Sequence, residues 1–174
     1  AILIYHPDTE EIRTLDKDIN IILNSLLESK INYIVIHPNN DPGSNYILNA
    51  YKKFKKFDNF NFFPSMRFEY YITLLKNADF IIGNSSSGVR EAPAMGIKSI
   101  NLASRQLNRS KAESIINCRL TKKSILDSIK NLKNIRTKKT YFFGNGNSDL
   151  RFQNILLKKS FWETRKIKKF IDIN

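Results

Sequence analysis

A serine-rich segment is the strongest candidate for chemistry in the sequence. It comprises Gly83-Asn84-Ser85-Ser86-Ser87-Gly88 and continues through Val89-Arg90-Glu91. Small residues let backbone N–H groups approach an oxyanion closely, and the amino-terminal end of a following helix attracts a phosphate. The alternative is a plain strand-to-helix turn that is capped by a serine. Glu91 is expected one helical turn inside, where its carboxylate can accept hydrogen bonds from a ribose diol or merely stabilise the helix start.

The same segment lacks the signatures of three common enzyme classes. It has neither the Gly-Lys-Ser/Thr ending of a P-loop nor the Gly-x-Gly-x-x-Gly fingerprint of a dinucleotide site. It also lacks the Gly-x-Ser-x-Gly turn that presents a serine nucleophile. ATP hydrolysis, hydride transfer and hydrolysis by a serine triad are therefore not indicated.

Two histidines and an arginine stand at predicted strand ends. His6 and His37 each precede a proline there, where the ring can donate to a phosphate or exchange a proton near neutral pH. Arg105 follows another strand, and its planar guanidinium group can donate paired hydrogen bonds to a phosphate. The alternatives are histidines bonded only to backbone and an arginine in a surface salt bridge. Two histidines without clustered cysteines or carboxylates make a poor metal site, so we expect no metal ion and no cofactor.

The elements that position these residues are short apolar runs alternating with longer amphipathic stretches. Runs rich in β-branched and aromatic residues predict strands, and apolar residues at three- and four-residue steps predict helices with one buried face. The predicted strands are residues 2–5, 33–37, 61–63, 80–83, 99–102 and 114–117, and the predicted helices are 19–27, 46–57, 68–75 and 125–132. The predicted fold class is α/β, a Rossmann-like, doubly wound parallel sheet.

In such a sheet, ligands bind beyond the carboxyl ends of the strands. Five segments meet this condition: His6-Pro7, Pro38-Asn39, Pro64, Asn84 to Gly88, and Ala103 to Arg105. With 174 residues, 41% of them hydrophobic, the chain can bury one full core. We therefore predict one Rossmann-like domain over residues 1–158 and a C-terminal helix over residues 159–174.

The net charge of +13 arises from lysines that are scattered in pairs, mostly on segments with helical apolar spacing. This distribution is typical of solvated helix faces, although electrostatic attraction to a nucleic acid or to an anionic nucleotide sugar is the alternative. The single cysteine, Cys118, has no partner for a disulfide, which fits a reducing compartment. No apolar run approaches the roughly 20 residues that span a bilayer. We therefore expect a cytoplasmic protein that does not bind membranes.

Six segments, taken in order, resemble the carboxyl-terminal domain of the hydrolysing UDP-N-acetylglucosamine 2-epimerases, the family that also supplies the epimerase part of the bifunctional animal enzyme of sialic acid synthesis. They are Tyr5-His6-Pro7, Pro38-Asn39-Asn40-Asp41-Pro42-Gly43-Ser44, Phe63-Pro64, Gly83 to Glu91, Asn101 to Gln106 with Arg109, and Gly144-Asn145-Gly146-Asn147. Together they cover most of residues 1 to 155. Each segment alone is weak, but the ordered set is specific.

The resemblance implies the C-terminal half of a GT-B fold, in which two Rossmann-like domains face each other across a cleft. It implies that UDP binds mainly to this half. The matching positions are Ser85 and Ser86 at the diphosphate, Glu91 at the ribose, Phe63 and Pro64 at the uracil, and His6, Asn39, Gly88 and Arg105 elsewhere in the nucleotide site. His6 also matches a histidine implicated in catalysis.

Members of this family expel UDP by elimination across C-1 and C-2 of the sugar and then add water to the glycal, which releases a free 2-epimerised sugar. By the resemblance, the amino-terminal domain with the acidic catalytic residues is absent from this chain. The chain alone is therefore expected to be inactive, and the intact enzyme is expected to be a homodimer. Pro42 stands where the resemblance implies a small residue after the aspartate, close to Asn39 in the sequence.

Three alternatives stay open from the sequence. The substrate can be UDP-N,N′-diacetylbacillosamine, as in bacterial legionaminic acid synthesis. The chain can also be the nucleotide-binding half of a GT-B glycosyltransferase. Finally, an RNA-binding module could stack bases on Phe54, Phe57, Phe60, Phe62 and Phe63. Helical and strand spacing favours core packing for most of these rings, so nucleic acid is not the expected partner.

Overall fold

The computed structural model describes residues 1–8, 12–164 and 167. The strands in this part of the chain are β1 (Ile2–Ile4), β2 (Tyr33–Ile36), β3 (Phe60–Phe63), β4 (Phe80–Gly83), β5 (Lys98–Leu102) and β6 (Ile115–Cys118). They form one parallel sheet in the order β3-β2-β1-β4-β5-β6. This is the strand order of a doubly wound, Rossmann-like sheet, and it confirms the predicted fold class.

The helices in the described residues are α1 (Leu15–Glu28), α2 (Ser44–Phe54), α3 (Phe68–Lys76), α4 (Glu91–Met95), α5 (Lys122–Asn131), α6 (Ser148–Leu156) and α7 (Lys159–Trp162), with 3₁₀ helices at Ile12–Thr14, Ser86–Gly88 and Leu132–Asn134. All four helices predicted from apolar spacing are present. The helix predicted over residues 159–174 lies partly outside the described residues. Within them, α7 ends at Trp162.

The two faces of the sheet carry separate apolar layers because successive side chains of a strand point to opposite sides. Leu3 and Ile82 belong to the larger layer, which α1, α2 and α5 cover. Ile2, Ile4 and Ile81 belong to the smaller layer, which packs against side chains of α3 and α4. Burial of both faces explains why the strands appear in the sequence as nearly continuous apolar runs.

The phenylalanines that could form a stacking platform mostly belong to the core. Phe54 and Phe60 are buried, and Phe57 and Phe62 pack against the larger apolar layer. Their rings contact one another, for example Phe54 and Phe60 at a centroid distance of 5.8 Å. Core packing, as the helical and strand spacing predicts, therefore accounts for these four rings. Phe63 differs, since it is 39% exposed at the end of β3.

The chain divides into two compact units, Ala1–Phe142 and a second one that begins at Phe143. The first contains the whole parallel sheet. The boundary predicted from the sequence lies later, between residues 158 and 159. No helix in the described residues is long and apolar enough to cross a membrane. The same residues contain no group of three or more His, Cys, Asp or Glu side chains that could hold a metal ion.

Candidate functional site

The switch point of the sheet lies between β1 and β4, where the strand order reverses direction, and a crevice is expected there. Gly83, the last residue of β4, has φ +140°, and a Cβ atom on it would lie 1.8 Å from the carbonyl oxygen of Ile4. The next residue, Asn84, donates its N–H to that same oxygen at 3.2 Å. The floor of the crevice therefore requires a glycine.

Asn84 connects the two strands beyond their last residues. Its fully buried side chain accepts the N–H of His6 at 2.7 Å and donates to the carbonyl oxygen of His6 at 2.9 Å. The buried Gln106 donates from Nε2 to the carbonyl oxygen of Asn84 at 3.3 Å. His6 is thereby fixed at the mouth of the crevice.

The hydrogen bonds of His6 define the protonation of its ring. Its Nδ1 accepts the backbone N–H of Asn39 at 3.1 Å, so the proton of the neutral ring is assigned to Nε2. Burial and the guanidinium of Arg105 lower the pKa of His6, whereas the Asp41 carboxylate acts in the opposite direction. The ring is therefore held neutral near neutral pH, with Nε2–H as a donor.

Asp41 joins two of the predicted site residues. Its Oδ2 accepts from Nδ2 of Asn39 and lies 3.6 Å from Nη2 of Arg105. Arg105 also donates from Nη1 to the carbonyl oxygen of Pro7 at 3.0 Å. Both charged side chains are partly exposed, so their ion pair adds little to stability, and its effect is mainly one of orientation. The structure thus brings Asn39 and Arg105 to the segment that begins at His6.

The serine-rich segment forms a 3₁₀ turn. Ser85 caps it, because its Oγ accepts the N–H of Ser87 at 3.3 Å. In the described part of the chain, the backbone N–H groups of Ser85 and Ser86 have no hydrogen-bond partner. Gly88 is buried, and a Cβ atom on it would lie 2.7 Å from Oγ of Ser99. Ser85 and Ser86 thus offer donors, while Gly88 allows close packing against β5.

Glu91 does not lie one turn inside a continuous helix, and this prediction is wrong. The 3₁₀ helix ends at Gly88, and Glu91 is the first residue of the five-residue helix α4. Such a short helix has a weaker dipole than the expected one, so the free N–H groups of the turn matter more for an anion. The Oε2 atom of Glu91 is buried and has no hydrogen-bond partner among the described residues. Burial of an unpaired polar atom is costly, which makes Glu91 a candidate ligand contact.

An open pocket of about 220 Å³ lies over the ends of β1, β2 and β4. Its polar lining comprises His6, His37, Tyr71, Ser85 and Ser87, and Ile4, Ile36 and Met66 supply the apolar part. Two of the predicted site residues, His6 and Ser85, therefore share one pocket. Tyr71 was not predicted as a site residue, and neither were the roles of Asn84 and Asp41 in holding His6, Asn39 and Arg105 in place.

Some predicted residues lie outside this lining. Phe63 and Pro64 are exposed at the end of β3, at the edge of the sheet. His37 lines the pocket, and its backbone N–H continues the pairing of β2 with β3 by donating to the carbonyl oxygen of Phe63 at 3.0 Å. Burial, and secondarily Lys55, lower the pKa of His37. Only part of the predicted set therefore converges on the crevice.

Known proteins with similar sequences include bacterial epimerases. A Neisseria meningitidis serogroup B protein named UDP-N-acetylglucosamine 2-epimerase is 37% identical over 178 residues, 100% of this chain and 47% of that protein. A Legionella pneumophila protein named UDP-N,N′-diacetylbacillosamine 2-epimerase (hydrolyzing) is 26% identical over 157 residues, 90% of this chain and 42% of that protein. This chain spans less than half the length of either relative.

Solved structures of such epimerases share the fold. The Methanocaldococcus jannaschii UDP-GlcNAc 2-epimerase in complex with UDP-GlcNAc and UDP has a TM-score of 0.72 and 20% identity, over 89% of this chain and 44% of that chain. The Neisseria meningitidis enzyme bound to UDP-GlcNAc has a TM-score of 0.70 and 16% identity, over 90% of this chain and 44% of that chain. Identities this low show the fold alone, which is of the GT-B type.

A family model described as UDP-N-acetylglucosamine 2-epimerase matches residues 1–157. The match covers the entire parallel sheet, the serine-rich turn and the segment that contains Arg105. It therefore includes every residue that the crevice brings together. The chain belongs to the UDP-N-acetylglucosamine 2-epimerase family.

Proposed function

We propose that this chain is the UDP-binding, carboxyl-terminal half of a hydrolysing UDP-N-acetylglucosamine 2-epimerase, or of a close relative that acts on UDP-N,N′-diacetylbacillosamine. One observation carries the proposal. At the switch point, the neutral ring of His6 lies beside the 3₁₀ turn that Ser85 to Gly88 form, which we call the serine turn. The backbone N–H groups of Ser85 and Ser86 in this turn have no hydrogen-bond partner within the described chain. Donors without partners at the carboxyl end of a parallel sheet are what an anionic nucleotide requires.

The diphosphate is proposed to bind these donors. Nε2–H of His6 and the backbone N–H groups of the serine turn supply neutral donors, and Arg105 supplies a cation within the same hydrogen-bonded network. Charge-assisted bonds from a guanidinium to phosphate oxygens are stronger than neutral ones. The same groups would stabilise the negative charge that develops on UDP as the bond to the sugar breaks.

The rest of the nucleotide is proposed to bind at the flanks. The buried, unpaired Oε2 of Glu91 can accept hydrogen bonds from the ribose diol. The uracil is assigned to the exposed end of β3 at Phe63 and Pro64, and Asn39 and Gly88 complete the proposed nucleotide site. No metal ion or cofactor is part of this proposal.

The proposed reaction divides between two domains. A base removes the proton from C-2 of the sugar while the bond from C-1 to the UDP oxygen breaks, which leaves a glycal; water then adds across the double bond with a proton delivered to the opposite face of C-2. This half stabilises the leaving group, with His6 close to the reacting centre. The acidic residues are assigned to an amino-terminal domain and the intact enzyme to a cytoplasmic homodimer. Relatives that carry the word hydrolyzing in their names support this type of reaction.

Calorimetric titration of the chain with UDP, UMP and ADP at moderate salt tests the nucleotide site. We expect UDP to bind in preference to ADP. Arg105→Ala should weaken UDP binding by about tenfold or more because it removes a charged partner, whereas Ser86→Ala should weaken it less, because it removes the hydroxyl but keeps the backbone N–H. The matched controls are Ser160→Ala and Arg136→Ala, which change exposed residues that are not among the predicted site residues. Equal affinity for UDP and ADP, or RNA binding with a steep salt dependence, would contradict the proposal.

Product analysis on an intact enzyme that contains this chain tests the reaction. Incubation with UDP-N-acetylglucosamine in D₂O, and separately with UDP-N,N′-diacetylbacillosamine, should yield UDP and a free 2-epimerised sugar with deuterium at C-2. A sugar that stays attached to UDP would exclude the hydrolysing type. Transfer of the sugar to an acceptor would favour a glycosyltransferase.

A further inference from the structure

Tyr71 of α3 connects the smaller apolar layer to the serine turn. Its ring belongs to that layer, and its hydroxyl is hydrogen-bonded to Oγ of Ser87. Both residues are less than a tenth exposed, and both line the pocket over the switch point. A buried hydroxyl that bonds another buried hydroxyl fixes the rotamers of both side chains, because either one alone would be left without a partner.

A continuous chain of hydrogen bonds leads from Tyr71 to Ser85. Ser87 accepts from or donates to Tyr71 through its side chain, and it donates its backbone N–H to Oγ of Ser85 at 3.3 Å. Gly88 closes the turn by donating its N–H to the carbonyl oxygen of Ser85 at 3.1 Å. The side chain of Ser87 is therefore committed to the interior, whereas Ser86 is exposed.

We propose that Tyr71 is a positioning residue that, through Ser87, sets the serine turn so that Ser85 and Ser86 present their donors to the diphosphate of the ligand. This inference rests on the proposed function. The tyrosine is proposed to act through Ser87 rather than by direct contact with phosphate or sugar. Its hydroxyl acts by selecting which two of the three consecutive serines face the ligand.

The surroundings of Tyr71 keep its hydroxyl in the form that the proposal requires. Burial and, to a smaller extent, the Glu91 carboxylate raise the pKa of Tyr71 to about 12, although the bond to Ser87 acts in the opposite direction. The phenol therefore stays protonated and able to donate over the whole physiological range of pH. Its neighbour Tyr70 offers a natural comparison, since it is exposed and its ring lies 5.8 Å from the Arg67 guanidinium carbon.

The test compares Tyr71→Phe with Tyr70→Phe, each of which removes one hydroxyl. Calorimetry with UDP and NMR titration with uridine, which lacks phosphate, separate positioning of the turn from general damage. We expect Tyr71→Phe to weaken UDP binding by about tenfold, the value of one lost hydrogen bond, and to leave uridine binding within about twofold. Tyr70→Phe should change neither.

Ser87→Ala and the double variant, which combines Tyr71→Phe with Ser87→Ala, complete a double-mutant cycle. If the two hydroxyls act as one unit, the double variant should bind UDP no more weakly than either single variant. Additive losses, an equal weakening of UDP and uridine, or an unchanged UDP affinity in Tyr71→Phe would overturn the inference. A wild-type chain that does not prefer UDP to ADP would instead overturn the proposed function, and the role of Tyr71 with it.

Discussion

The side chain of Asn84 forms two hydrogen bonds with the backbone of His6, one from the N–H at 2.7 Å and one to the carbonyl oxygen at 2.9 Å. An amide side chain carries both an acceptor oxygen and a donor NH₂ group, so it can continue the pairing of β1 with β4 where the backbones separate. The two residues are 78 positions apart in the chain. Tertiary structure, rather than a local motif, therefore orients the histidine of the crevice.

Asn84→Ala should lower the free energy of unfolding by about 2–3 kcal/mol, because two backbone groups of His6 would lose their partners in a poorly hydrated place. Urea denaturation measures the change. Asn24→Ala is the matched control, since Asn24 is exposed and bonds only within α1. A loss no larger than that of the control would show that water replaces both hydrogen bonds.

The pH dependence of stability should reflect His6. Its pKa in the folded chain lies below the ordinary value of 6.5 because of burial and Arg105. Between these two values the folded chain binds fewer protons than the unfolded chain, so stability rises with pH through this window and falls as acid is added below pH 6.5. NMR titration of the ring should give the lowered value directly.

Arg105→Gln should move the pKa of His6 upward, since it removes a nearby positive charge while burial stays the same. Arg136→Gln, an exposed change elsewhere, should leave the titration unchanged. An unshifted His6 in Arg105→Gln would mean that the guanidinium is too well solvated to act on the ring.

Gly83→Ala should prevent folding or cost more than about 3 kcal/mol, because the new methyl group would meet backbone rather than a movable side chain. Gly146→Ala separates this clash from backbone strain. Gly146 also has a positive φ, +89°, but a Cβ atom on it would meet nothing within 4 Å. It should lose only about 1 kcal/mol. Thermal unfolding, followed by circular dichroism, compares the stability of the two variants. Similar losses of stability would mean that the positive φ, and not the clash with the backbone of Ile4, causes the destabilisation.

Glu91 should distinguish UDP from 2′-deoxy-UDP if its unpaired oxygen accepts from the ribose diol. We expect the wild-type chain to prefer UDP by about tenfold, roughly the value of a hydrogen bond to a charged group. Glu91→Gln should remove most of that preference while diphosphate binding remains. Equal affinity of the wild-type chain for both nucleotides in calorimetry would exclude the ribose contact.

The fold was largely predictable because its signals are local. The runs at Tyr33–Ile36 and Phe80–Gly83 are apolar throughout, as strands buried on both faces must be. Element ends were less predictable, and the start of α4 shows why. Ser86-Ser87-Gly88 is compatible with either a 3₁₀ or an α-helical turn, and Gly96, in a left-handed conformation, ends the helix after five residues.

The site was predictable in outline only. The rule that ligands bind at strand ends located His6, Ser85 and Arg105. His6 and Ser85 line one pocket, and Arg105 donates to the carbonyl oxygen of Pro7, the residue after His6. It could not find Tyr71, which comes from the middle of a helix and has ordinary core spacing. Asn84 left a faint signal, because an amide directly after a buried strand can pair with the neighbouring strand. Contacts across the fold leave no periodicity in the sequence.

The glycine at the end of β4 has a consequence for how this domain can diverge over evolutionary time. Because position 83 accepts no side chain, the depth of the crevice is fixed. A mutation of Gly83 would therefore impair folding and could not change ligand specificity on its own. The exposed rim at Phe63 and Pro64 carries no such constraint. Mutation can therefore change the rim while the proposed binding point of an anionic ligand stays the same, so that selectivity can evolve separately from binding.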